Sequence, residues 1–349
     1  MVHAARIVRM RLARIVPVAV LAALLLEPGT ARSTSGVPPS LVLPEAPALR
    51  ALPPVSAAAR KHPYGWPVKP FDVQHAIRGG FGDPRFGTVE RNFHFGVDIP
   101  AAGGTPVYAV APGTVFLEPD HVAVLSHGVP GHATGFSYWH IIPAAREYSY
   151  ARTHTLLGWV DPSWGHLHFA EIRNGRWVNP LRRDALTPYA DLIRPQITAI
   201  TVTPHSVAST DSGASKPGLD ITVDAFATPP LPLAPPWQGA RIAPTLVEWR
   251  LLSGKVPLSR WRVAADFRRY IPPNRAYGQI YAPGTYANAP GRPGRYLIYL
   301  ARDWHLRNAA AGPYVIEVAA FGSRGEMTRA SAVLELARAA SDPPHSAHH

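Results

Sequence analysis

The chain has no cysteine, few methionines and little lysine among its basic residues. Without cysteine there can be no disulfide framework, no thiolate nucleophile and no cysteine-bound zinc, so any metal must be held by His, Asp or Glu. Long apolar runs are also missing. The longest, Ile15 to Leu26, is too short for a bilayer-spanning helix, which needs about 20 residues. Helical periodicity is weak from about Phe71 to Tyr189. No zinc-finger spacing or aromatic RNA-binding strand occurs, so nucleic acid is not an expected partner.

What is present is proline and glycine, 39 and 28 of them in 349 residues, with 46% hydrophobic residues and a net charge of +12. This composition favours short strands and turns around a packed core. The positive charge draws polyanions, among which a carboxylate- and phosphate-rich cell wall qualifies.

Residues 1–31 read as a secretory signal peptide. Arg6, Arg9, Arg11 and Arg14 precede the apolar run, and small residues around Ala31 suit cleavage. The expected location is therefore secreted, periplasmic or wall-associated, with membrane contact only transiently through that leader. Residues 32–69 are rich in Pro, Ala and Ser and read as a linker or pro-segment. From 70 to 192, short alternating strands with Gly and Pro turns predict an antiparallel β domain. From 193 to 340, strands at Gln196–Thr203, Leu219–Ala227, Thr245–Leu252, Tyr296–Ala301, Tyr314–Ala320 and Ser331–Leu336 predict an immunoglobulin-like β-sandwich. The tail, 341–349, reads as disordered. The fold class is all-β.

The chemistry is concentrated in three segments. In Asn92-Phe93-His94-Phe95-Gly96-Val97-Asp98-Ile99 strict alternation sets Phe93, Phe95, Val97 and Ile99 on one face of a strand and His94 and Asp98 on the other, with only Gly96 between. In Gly165-His166-Leu167-His168-Phe169 the same rule puts His166 and His168 together, opposite Leu167 and Phe169. In Ser137-Tyr138-Trp139-His140-Ile141 a further histidine lies in an aromatic strand. His127 and His132 fall in a Gly-rich loop that could contact substrate. His121 and His154 fit no pattern and read as structural.

Taken together these segments, over roughly residues 76–182, resemble the LytM/lysostaphin-type zinc metallopeptidases. Gly79-Gly80-Phe81-Gly82 is similar to that family's Phe-Gly-x-Arg opening. The run from His94 through Asp98-Ile-Pro to Ala111-Pro-Gly-Thr-Val115 matches its next block, and Tyr138-Trp-His140 and Gly165-His-Leu-His-Phe169 complete it. The resemblance implies one Zn2+ per chain held by His94, Asp98 and His168, with His166 and His140 serving the chemistry. It implies a zinc endopeptidase that cuts peptide cross-links of bacterial peptidoglycan, since zinc can lower the pKa of a bound water to about 7. The alternative it implies is a non-catalytic module that binds the wall or activates other hydrolases. One departure stands out: Ala170 follows His-Leu-His-Phe where the family has Glu, and Glu171 comes one residue later. In an unbulged strand that carboxylate changes face.

Overall fold

The computed structural model describes residues 63–86, 91–127, 132–208, 215–304 and 312–336, together with the backbone of 8–12 and 21–22. The expected leader and tail fall outside these residues, except for two short backbone strands, β1 (Val8–Leu12) and β2 (Leu21–Ala22). Among the described residues, no helix is long and apolar enough to cross a membrane.

The fold is all-β, built from antiparallel sheets, and among the described residues the one α-helix has four residues. The first half contains a hairpin, β3 (Pro84–Phe86) and β4 (Arg91–Phe93), and then β5 (Val97–Pro100) and β6 (Pro106–Tyr108). Next come β7 (Gly113–Glu118) and β8 (His121–His127), joined by the two-residue turn Pro119-Asp120. They are followed by β9 (Thr134–Trp139), β10 (Ile141–Pro143), β11 (Tyr150–Ala151) and β12 (Leu156–Val160). The half closes with β13 (His166–Arg173) and β14 (Arg176–Val178). The main sheet runs β11-β7-β8-β9-β13-β14, with β5 also paired to β13. A smaller sheet, β10-β12-β6, lies beside it. Between them Val97, Ile99, Val115, Val124, Leu157, Leu167 and Phe169 form an apolar core. β13 is buried on both faces, as befits a strand with neighbours on each side and cover above and below.

The second half is a sandwich. Strands β15 (Gln196–Ala208), β16 (Ser215–Phe226) and β20 (Leu297–Trp304) form one sheet. β17 (Leu246–Ser253), β18 (Val256–Pro257), β19 (Arg262–Asp266), β21 (Gly312–Phe321) and β22 (Met327–Leu336) form the other, which β1 and β2 extend beyond β22. The third long strand therefore crosses to the second sheet and the next returns, the Greek-key alternation of an immunoglobulin-like sandwich. All six strands expected from the sequence are present; β18, β19 and the short helix Tyr277–Ile280 are additions.

One boundary moves. The expected linker 32–69 ends sooner, because Tyr64, Trp66 and Val68 are buried in the core of the first half. Aromatic side chains here are anchors, which a proline-based reading does not register. The two halves are also not independent bodies. Phe81 and Phe93 leave the first core and pack with Phe267, Tyr277 and Tyr281 of the second. The Tyr281 hydroxyl donates to the Gly82 carbonyl at 2.7 Å. Gly82 has φ +92°, and a Cβ there would lie 2.4 Å from the Phe267 ring, so only glycine fits.

Asp83 ties the junction. Its buried carboxylate accepts from the Gly80 amide at 2.8 Å and from the Ala243 amide, across the halves, at 2.7 Å. Asp83→Asn puts an NH2 where one amide needs an acceptor, stranding a buried donor. Thermal unfolding should then show a loss of about 2 kcal/mol, and an unchanged midpoint would remove Asp83 from the junction.

Candidate metal centre

The strand expected across residues 92–99 is broken at His94–Gly96. Its apolar residues consequently divide: Phe93 and Phe95 pack toward the sandwich, Val97 and Ile99 toward the first core. Alternation correctly placed His94 and Asp98 together, but a break, not a shared strand face, turns His94 inward. The gap left by Gly96 is filled by the His168 ring rather than left open. A Cβ at Gly96 would lie 2.8 Å from that ring and 2.4 Å from the Phe169 carbonyl.

Register brings the rest together. His168 on β13 stands directly opposite Asp98 on β5 and Trp139 on β9. Facing residues on antiparallel strands sit close enough for side-chain contact. Asp98 Oδ1 lies 3.0 Å from His94 Nε2 and 3.1 Å from His168 Nδ1, and the two ring nitrogens are 2.7 Å apart. All three residues are buried. This His94–Asp98–His168 group could bind a metal ion.

The donor chemistry fits a metal. The segment 78–80 runs against the Asp98 strand, with Arg78 N donating to Asp98 O and Asp98 N donating to Gly79 O, each at 2.9 Å. Its next carbonyl, Gly80 O, accepts from His94 Nδ1 at 2.7 Å. That bond fixes the tautomer and leaves the Nε2 lone pair aimed at the other two donors, the outer-shell arrangement common for metal-ligating histidines. Arg85 Nη2 holds the outer oxygen Asp98 Oδ2 at 2.7 Å, leaving Oδ1 inward. Gly79 permits this approach, since a Cβ would meet Asp98 Oδ2 at 2.4 Å. Two imidazole nitrogens and one carboxylate oxygen converge, the three-ligand pattern of an open zinc site.

Electrostatics agrees. Burial pushes the His94 and His168 imidazoles down, His168 to about 4, so both are neutral and able to ligate near neutrality. Burial would raise Asp98, but the permanently charged Arg85, with the His168 hydrogen bond, holds it well below the carboxylate range.

The two remaining histidines also arrive here. His166 Nε2 is 3.6 Å from Asp98 Oδ1. His140 follows β9 in a left-handed conformation, φ 65°, rather than lying within the strand, and stacks on Trp164 at 3.8 Å. Its ring is 4.7 Å from that of His166, and burial lowers its pKa to about 4. All five residues singled out from the sequence thus line one cleft.

His121 and His154 stack on Trp139 and Phe71 instead. His132 is exposed and lines no part of this cleft. Glu171 changes face, as the unbulged register requires: it is buried with Phe169 and accepts from Tyr64 Oη at 2.6 Å and from both Arg182 amino groups at 2.6 and 2.8 Å. It anchors the early segment rather than the metal centre.

Sequence reading missed Arg78, Arg85, Trp237 and Asn288, which also line the cleft. Arg78 and Arg85 flank a recognised glycine motif, a usable signal. Trp237 and Asn288 come from the sandwich half, and nothing local marks them.

No family model matches the chain, and no curated protein matches it. Among solved structures the chain is similar to Helicobacter pylori Csd3, at 25% identity and a TM-score of 0.28. That similarity covers 38% of this chain and 37% of Csd3, little more than a third of its length. The assignment of the centre rests on the geometry above.

Metal content after dialysis against zinc checks the ligand set. One equivalent per chain is expected, lost in His94→Ala, Asp98→Ala and His168→Ala but kept in His140→Ala and His166→Ala. Because the ligand imidazoles have depressed pKa values, they stay neutral as pH falls below the usual 6.5. Metal should be retained as pH falls below 6.5, with the His168 ligand staying neutral until pH nears about 4. Release between pH 7 and 6 would contradict the buried-imidazole account.

Proposed function

We propose that this chain is a zinc-dependent endopeptidase acting outside the cytoplasm on peptide cross-links of bacterial peptidoglycan. One observation carries the reading: three buried metal donors and two further imidazoles converge in a single open cleft. A structural metal site has no use for the two extra histidines, whereas hydrolysis needs a proton acceptor and an oxyanion donor beside the metal. Zinc suits a set of two nitrogens and one oxygen, and when bound it supplies Lewis acidity and a water of lowered pKa.

The chain's own residues divide the remaining work. His166 Nδ1 lies 2.9 Å from the Trp164 carbonyl and 2.8 Å from Arg78 Nη2. An arginine can only donate, so the Arg78 contact requires that nitrogen bare, and the Trp164 contact requires it protonated. When Nδ1 donates to Trp164 O, the Nε2 lone pair faces the metal donors and takes a proton. His140, neutral because burial depresses its pKa, then offers an N–H to the developing oxyanion. Its stacking on Trp164 ties both imidazoles to one loop. Exposed Trp159 and Ile142, paired across β12 and β10, extend an apolar surface on the smaller sheet.

Release of amino groups from purified peptidoglycan should be abolished by a zinc chelator and restored by zinc. His166→Ala should slow it by about 100-fold or more while retaining metal. Bound zinc without release from any of several wall types would leave the binding or activating module as the surviving reading.

A further inference from the structure

Two arginines line the cleft, and only one is occupied. Arg85 is committed, with Nη2 on Asp98 Oδ2 at 2.7 Å and Nη1 on the Pro84 carbonyl. Arg78 has no carboxylate within ion-pair distance among the described residues. Its guanidinium lies over the Trp237 ring at 4.1 Å and touches His166 Nδ1. A half-buried guanidinium with no paired anion is an unfinished interaction, because burial disfavours its charge and Asp98, beyond ion-pair distance, offsets that only in part. Its mount is nonetheless well built. Arg78 N is bonded to Asp98 O, and Arg78 O accepts from Asn288 Nδ2 at 3.1 Å. Asn288 is itself fixed, since its Oδ1 accepts from the Arg241 and Gly294 amides at 2.9 and 2.7 Å. The sandwich half therefore supplies both the platform under the guanidinium and the clip on its backbone.

We propose that Arg78 anchors a carboxylate of the bound peptide, and that the sandwich half sets this specificity through Trp237 and Asn288. The inference rests on the peptidase reading for the class of ligand. Stacking on an indole occupies the face of a guanidinium and leaves its N–H edge for planar, bidentate recognition of a carboxylate. The cleft favours an anion as well: among its described lining residues are two arginines and one carboxylate, Asp98, which is already shared by Arg85 and the histidines. Wall peptides carrying free carboxylates near the cleaved bond fit that demand, and uncharged peptides do not.

The test is binding, measured calorimetrically on the full chain with metal removed so that nothing is hydrolysed. The probe is soluble wall peptides, either untreated or with their carboxylates converted to amides by carbodiimide and ammonia. Untreated peptides should bind about tenfold or more tightly than amidated ones, the usual scale for a charged hydrogen-bonded pair. Arg78→Gln should erase the difference, Arg78→Lys should keep part of it, and Trp237→Ala should weaken it, each with an unchanged circular dichroism spectrum. Equal affinities in the wild-type chain, binding of neither preparation, or full discrimination retained by Arg78→Gln would each overturn the proposal. Carboxylate-selective binding by a chain that never hydrolyses wall would sink the peptidase reading alone. Hydrolysis with equal affinities would sink this one alone.

Discussion

Asp98 is approached from three directions at once, and the surrounding architecture keeps those partners in place. A carboxylate so deeply buried is costly unless every lone pair is met. Arg85 donates to the outer oxygen and His168 to the inner one, while the bare His94 Nε2 stands 3.0 Å from that inner oxygen as a fellow metal donor. The two neighbouring glycines follow from this crowding: Gly79 yields space to the Arg85–Asp98 pair and Gly96 to the His168 ring. The main-chain bonds of residues 78–80 to Asp98 and His94 then lock the ligand geometry to the backbone rather than to mobile side chains.

The junction between the halves depends on that same segment. Directly after Gly80, Phe81 enters the aromatic core of the sandwich, and Asp83 bonds to the Ala243 amide. A strip of about six residues thus forms the wall of the metal centre and the weld to the second half. Displacement of the sandwich would be felt at Gly80 O, the acceptor that fixes the His94 tautomer. This coupling gives the C-terminal half a structural reason to belong to the site, independent of any role in attachment. Trp237 and Asn288 extend it to the cleft surface.

Glu171 shows how a one-residue change of phase is resolved. With no bulge in β13, period-two alternation sends it to the core side, where Arg182 and Tyr64 satisfy it. The early segment around Tyr64 and Trp66 is thereby drawn into the fold. A reading based on proline content assigned that segment to a linker, because composition registers breakers and does not register which aromatic side chains find a cavity.

The sequence by itself determined the all-β class, the six long sandwich strands, the absence of cysteine ligands and the five residues of the centre. The first three follow from local period-two patterning and residue chemistry, which neighbouring residues alone encode; the choice of the five residues came with the resemblance to the LytM/lysostaphin-type peptidases. Only the tertiary structure decided the break at His94–Gly96, the sharing of Phe81 and Phe93 with the second core, and the arrival of Trp237 and Asn288 beside Arg78. Those depend on packing between segments some 150 to 210 positions apart, as in the Asp83–Ala243 and Arg78–Asn288 bonds. No local period carries information over such separations; it is set by which apolar faces and polar atoms satisfy one another once the sheets have closed.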